Sequence, residues 1–188
     1  MLLTKKFGIG LSALTIALVV AIATSAFAEN RKETRSVQSQ VADQLAEFRR
    51  TAAQMSREAD TLDSHVPGRL SWETHSQHLE TLRNHVNQLG KNLTDLETLK
   101  PQASESQQMA IEHLRPHLVA VADNVTEALD LIRESRGNIR FPDYGEAVSN
   151  IYEHADALHA KLDAILDHED AKTRLDDLGL QPSLNEAE

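Results

Sequence analysis

Cysteine is absent from all 188 residues. That excludes a disulfide, a thiolate nucleophile, a thiolate metal site and a Cys-x-x-Cys-His haem attachment. No glycine-rich phosphate loop is present, and no Gly-x-Ser-x-Gly elbow sits in a strand-turn-helix setting. Strand-like alternation is missing. Positive charge is scarce: 19 Lys and Arg stand against 29 Asp and Glu, a formal net charge of −10. A surface this acidic argues against nucleic acid or anionic lipid as a partner.

What is present first is an export signal. Lys5 and Lys6 form a basic start, Ile9 to Ala23 is nearly all apolar, and Ala26-Phe27-Ala28 fits the small-x-small cleavage rule. Residues 1–28 are therefore expected to be a signal peptide, with Glu29 as the mature N-terminus. Because residue 29 is not cysteine, no lipoprotein anchor is expected. Removing these 28 residues and their two lysines leaves 160 residues with 17 basic and 29 acidic side chains, or −12. That is one domain's worth of chain. No later apolar run approaches the ~18 residues a membrane span needs. The pattern reads as bacterial export to the periplasm or the medium. The sequons at Asn92 and Asn124 lie inside predicted helices and are read as chance.

Four long segments carry apolar residues at alternating steps of three and four, the helical signature. The first runs Val41, Leu45, Phe48, Ala52, Met55, Ala59, Leu62, Val66 and stops at Pro67-Gly68. The second runs Trp72, His75, Leu79, Leu82, Val86, Leu89, Leu93, Leu96, with Ser71 as N-cap, and stops before Pro101. The third carries Ile111, Leu114, Leu118, Val121, Val125, Ala128, Ile132 behind a Ser104/Gln107 capping box. The fourth carries Tyr144, Val148, Ile151, Ala155, Leu158, Leu162, Ile165, continues less regularly through Leu175 and Leu178, and meets Gly179 as a C′ residue.

Segments of roughly 30 residues make helices of ~45 Å, and short connections force neighbours antiparallel. The expected fold is an all-α, up-down-up-down four-helix bundle over residues 29–182, followed by a polar tail, 183–188. A helical hairpin that dimerises is the alternative, so monomer and homodimer both stay open. Gly90 costs the second helix ~1 kcal/mol relative to Ala. Pro116 removes one hydrogen bond inside the third and should kink it. Leu79–Leu99 and Ile111–Leu131 match at seven of 21 ungapped positions, including Arg83/Arg115 and His85/His117. Chance within a common heptad frame and an old hairpin duplication both account for that.

Nine histidines are many for this length. Counting outward from Pro101 puts His85 and His117 at one level, His113 and His117 share a helix face, and counting from the last turn brings His168 near His113. His85, His113, His117 and His168 are thus a candidate layer for a divalent metal. His65, His75 and His78 surround the first turn, where an end-of-bundle metal or pH-sensing site is the functional alternative to frayed helix ends. No Glu precedes a His by three residues, so the di-iron carboxylate pattern is absent. The expected architecture and compartment resemble the periplasmic four-helix b-type cytochromes. That resemblance would pair Met55 with His154 or His159 on haem, although Met55 lies later in its helix than the family's methionine. Arg49, Arg50 and Arg57 on the first segment face acids concentrated on the fourth (Asp163, Asp167, Glu169, Asp170), either as helix-helix attraction or as a bipolar docking surface.

No catalytic constellation emerges. The expectation is a non-enzymatic, exported binding or interaction module of the cell envelope, with another envelope protein as partner. A periplasmic metal binder and a b-type haem bundle are the alternatives. No cofactor is fixed by the sequence.

Overall fold

A computed structural model describes residues 14–66, 68, 71–135, 139 and 142–179, with side chains from Ser36 onward. Lys5 and Lys6, Pro67, the third-turn residues Gly137 and Phe141, Pro182 and the tail 183–188 lie outside the described residues. Those described form α1 (Leu14–His65), α2 (Trp72–Leu99), a 3-10 turn (Lys100–Gln102), α3 (Glu105–Glu134) and α4 (Pro142–Asp177). No strand occurs among them. No described helix is long and apolar enough to cross a membrane.

The helix ends are set by local chemistry. Ser71 caps α2 by accepting from the Thr74 amide. At the start of α3, Ser104 accepts from the Gln107 amide while the Gln107 side chain accepts from the Ser104 amide, a reciprocal pair that satisfies two free donors. Gly179 takes φ +66° just past α4, a conformation that a side chain disfavours. Pro116 lies inside α3, which continues through it to Glu134. α1 runs without interruption from Leu14, so no change in backbone structure marks the proposed cleavage point at Ala28.

Each helix packs on two others, α1 and α3 each on α2 and α4, and the four share one core. The α1 stripe from Val41 to Leu62 is wholly buried. Leu79, Leu82, Leu89, Leu93 and Leu96 of α2 face it, with Leu114, Val121 and Val125 of α3 and Val148, Ile151, Leu158 and Leu162 of α4. Arg49 of α1 bonds Asp163 and, at 3.1 Å, Asp167 of α4, so the opposite charges on these two helices do meet.

The apolar pattern overreached at the helix ends. Trp72 is 44% exposed, and Leu175 and Leu178 are exposed beyond the last buried turn of α4.

The space around Gly90 gives a direct stability test. A Cβ at this position meets nothing within 4 Å. Gly90→Ala therefore removes backbone entropy from the unfolded chain without a clash, and is expected to raise the unfolding free energy by about 1 kcal/mol in urea titrations.

Candidate functional site

Gly90 lines a groove of about 650 Å³ between α2 and α3. Val86, Leu93, Leu118 and Val119 supply apolar lining, and Lys91 and Arg115 stand among its polar residues. Val119 is one of the exposed large apolar side chains. Arg115 is held from α2 by Glu97, through bonds of 2.9 Å from Nε and 2.6 Å from Nη2 to one carboxylate oxygen. Gly90 adds no side chain to the groove, and a Cβ there would meet nothing within 4 Å.

The second feature lies at the α1–α2 end of the bundle. His75, in the first turn of α2, is 1% exposed. Its Nδ1 is 2.9 Å from the Tyr144 hydroxyl of α4, and its Nε2 is buried without a partner. His65 closes α1; its ring meets that of His78 edge-on at 5.4 Å, and its Nδ1 is also buried and unpartnered. His78 Nδ1 lies 2.7 Å from Glu58 Oε1. The sequence thus located this cluster correctly as a group around the first turn. It missed Glu58 and Tyr144, whose approach depends on how α1 and α4 pack.

Burial, reinforced by His65 and His78, holds His75 below the ordinary histidine range. Burial also pushes the Tyr144 phenol upward, so it remains a neutral hydroxyl. The neutral His75 contributes stability that is fully present above the ordinary value near 6.5. Below that value the unfolded chain takes up a proton that the folded site resists, and stability falls with pH.

A third group lies midway along α3 and α4. Lys161 Nζ donates to His117 Nε2 at 2.8 Å, which fixes that nitrogen as an acceptor. The His154 ring lies 5.8 Å from His117. Burial, then Lys161, His154 and His113, lower the His117 proton affinity. A cation already occupies the direction a metal would take.

The four candidate metal ligands are not brought together. The turn after α2 is centred beyond Pro101, because residues 100–102 form a 3-10 turn and α3 begins only at Glu105. Glu97 therefore meets Arg115, and Lys100 meets Glu112 at 2.6 Å. In this register His85 falls opposite a stretch of α3 well past His117. Glu169 bonds Ser104 at 3.0 Å, which puts His168 beside the N-cap of α3, more than two turns from His113. His113 and His168 are both exposed. Among the described residues, no group of three or more His, Asp or Glu is arranged to hold a metal ion. Of the residues considered for haem, Met55 is fully buried in the core, His154 faces His117, and His159 lies 3.3 Å from Asp163.

No protein-family model, curated protein or solved structure matches this chain.

Two substitutions probe these groups. Tyr144→Phe leaves His75 Nδ1 buried without its partner and is expected to cost about 1–3 kcal/mol of stability in denaturant titrations at neutral pH. Lys161→Met removes a nearby cation from His117. The His117 NMR titration midpoint is expected to rise in that variant; an unmoved midpoint would show that the contact has no electrostatic effect.

Proposed function

We propose that the protein is an exported, non-enzymatic helical bundle that serves as a binding module of the cell envelope, using the groove between α2 and α3. The open groove at Gly90 is the observation that carries this reading. Its apolar lining suits an inserted apolar side chain, since removing such surface from water stabilises a complex by roughly 25 cal/mol per Å² before the costs of association. Arg115 is already bound by Glu97, whereas Lys91 is exposed on the lining. The partner is therefore a segment of another envelope protein that offers an apolar residue to the groove and a carboxylate to Lys91.

The reading takes residues 1–28 as a cleaved signal and 29–182 as the domain, in up-down-up-down order. Two pairs of contacts support that order. Arg49 with Asp163 and Ser56 with Asp156 advance along α1 while receding along α4, as antiparallel neighbours do. Glu97 with Arg115 and Lys100 with Glu112 do the same for α2 and α3. Export rests on the Lys5/Lys6 start, the apolar run and the Ala26-Phe27-Ala28 site. The non-enzymatic character rests on the missing nucleophile motifs and on histidines engaged with Tyr144, Glu58 and Lys161.

A benzophenone side chain in place of Val119 is expected to give a discrete photo-crosslinked adduct with one envelope protein. The same group in place of exposed Glu153 on α4 should give none. Plugging the groove with Gly90→Phe should abolish the adduct. Equal labelling from both positions, or labelling unaffected by the plug, would defeat the groove reading. N-terminal sequencing of the protein released by osmotic shock should begin at Glu29; a chain retaining residues 1–28 would overturn the processing.

A further inference from the structure

The histidine cluster at the α1–α2 end has no part in the groove reading, yet it concentrates three titratable rings in the end turns of the bundle. His65 is the last residue of α1, His75 and His78 lie in the first two turns of α2, and Tyr144 lies in the first turn of α4. The His75–Tyr144 contact joins α2 to α4, and His78–Glu58 joins α2 to α1. We propose that this cluster is an acid-sensitive latch: proton uptake by the buried His75 leaves a ring N–H at Nε2 with no acceptor and frees the first turns of α2 and α4, while the rest of the bundle stays folded.

The geometry makes one protonation state of His75 much better accommodated than the other. Neutral imidazole offers one donor and one acceptor, and the Tyr144 hydroxyl serves either role at Nδ1. A second ring proton requires two acceptors. Tyr144 is available on one side, but Nε2 has no partner and is buried. An imidazolium there would also lie at the positive end of the α2 dipole, which disfavours a cation.

The groups around His75 offer little compensation. From α1, His65 adds a like charge on acidification, and Glu58 is already engaged by His78. From α2, His78 also adds positive charge, and Glu73 is exposed. From the end of α3, Arg133 is bonded to Asp130 and Glu134 is exposed. From α4, Tyr144 is neutral, and Asp143 and Glu146 are exposed.

Opening is local because the cluster sits at helix ends. Fraying two first turns exposes His75 and Tyr144 but leaves the core from Val41 to Met55, with its partners on α2, α3 and α4, in place. A buried charge at mid-bundle would instead have to break the whole core.

Hydrogen exchange of the full chain tests this, with rates corrected for the intrinsic effect of pH. Protection over residues 72–79 and 142–148 is expected to hold steady from about pH 7.5 to about pH 6.5, the ordinary histidine value, and to fall on the order of tenfold per pH unit below it, down to about pH 5. Protection over 111–125 should not change. His75→Asn keeps a polar atom near Tyr144 but cannot titrate, and should abolish the fall. Unchanged protection at both ends, a uniform loss across all helices, or a fall that persists in His75→Asn would each overturn the latch. Should that variant fail to fold, nitrogen NMR of the imidazoles in the unsubstituted protein decides the matter. His75 must then titrate below the ordinary range in step with the loss of protection, and a midpoint at or above that range would overturn the proposal.

Discussion

The wholly buried apolar stripe of α1 is the constraint on which the other elements depend. From Val41 to Leu62 its seven seam residues are at most 1% exposed, and α1 packs against both α2 and α4. A helix with such a stripe is unstable in water alone, because helical stability in proteins comes mainly from packing an amphipathic face. Helices α2 and α4 supply the surfaces that cover it. α3 completes the enclosure and has no large contact with α1. It is held by α2, by α4 and by the Gln107 side chain, which reaches the Gln38 carbonyl at 3.1 Å.

That enclosure also determines where polarity is costly. Among the described residues, Gln44 aside, the buried polar side-chain atoms without a partner are imidazole nitrogens, on His65, His75 and His117. Burial favours the neutral ring, and the neutral ring always leaves one nitrogen to be satisfied separately. At mid-bundle a lysine takes one nitrogen of His117; at the bundle end a phenol takes one of His75. The two groups share chemistry but differ in position. One lies beside turns clamped on both sides by further core, and the other lies in turns that end at a loop.

The groove and the histidine end are independent features on different helix pairs. The groove is lined at one helix position by a residue without a side chain, whereas the histidine cluster gathers residues from the ends of α1, α2 and α4. Gly90 was legible in the sequence only as a helix defect of ~1 kcal/mol. Its meaning as an opening required knowing that it faces α3 near Leu118 and Val119. Likewise, the grouping of His65, His75 and His78 followed from their spacing around Pro67-Gly68, but Tyr144 and Glu58 did not, since they come from 69 and 20 residues away along the chain.

The four helices, the N-caps of α2 and α3 and most of the core residues follow from the order of the amino acids alone. These are local matters: a step of three or four places side chains on one face whatever the surroundings, and a Ser104/Gln107 pair caps its own helix. The register between helices, and with it which histidines meet, is set by how the helices pack. Counting from Pro101 put His85 level with His117, but the 3-10 turn and the late start of α3 shift one helix along the other, so Glu97 faces Arg115 instead. A turn's shape depends on the packing of both helices it joins. An error of a few residues there moves side chains by 1.5 Å per residue, which quickly exceeds the reach of an imidazole.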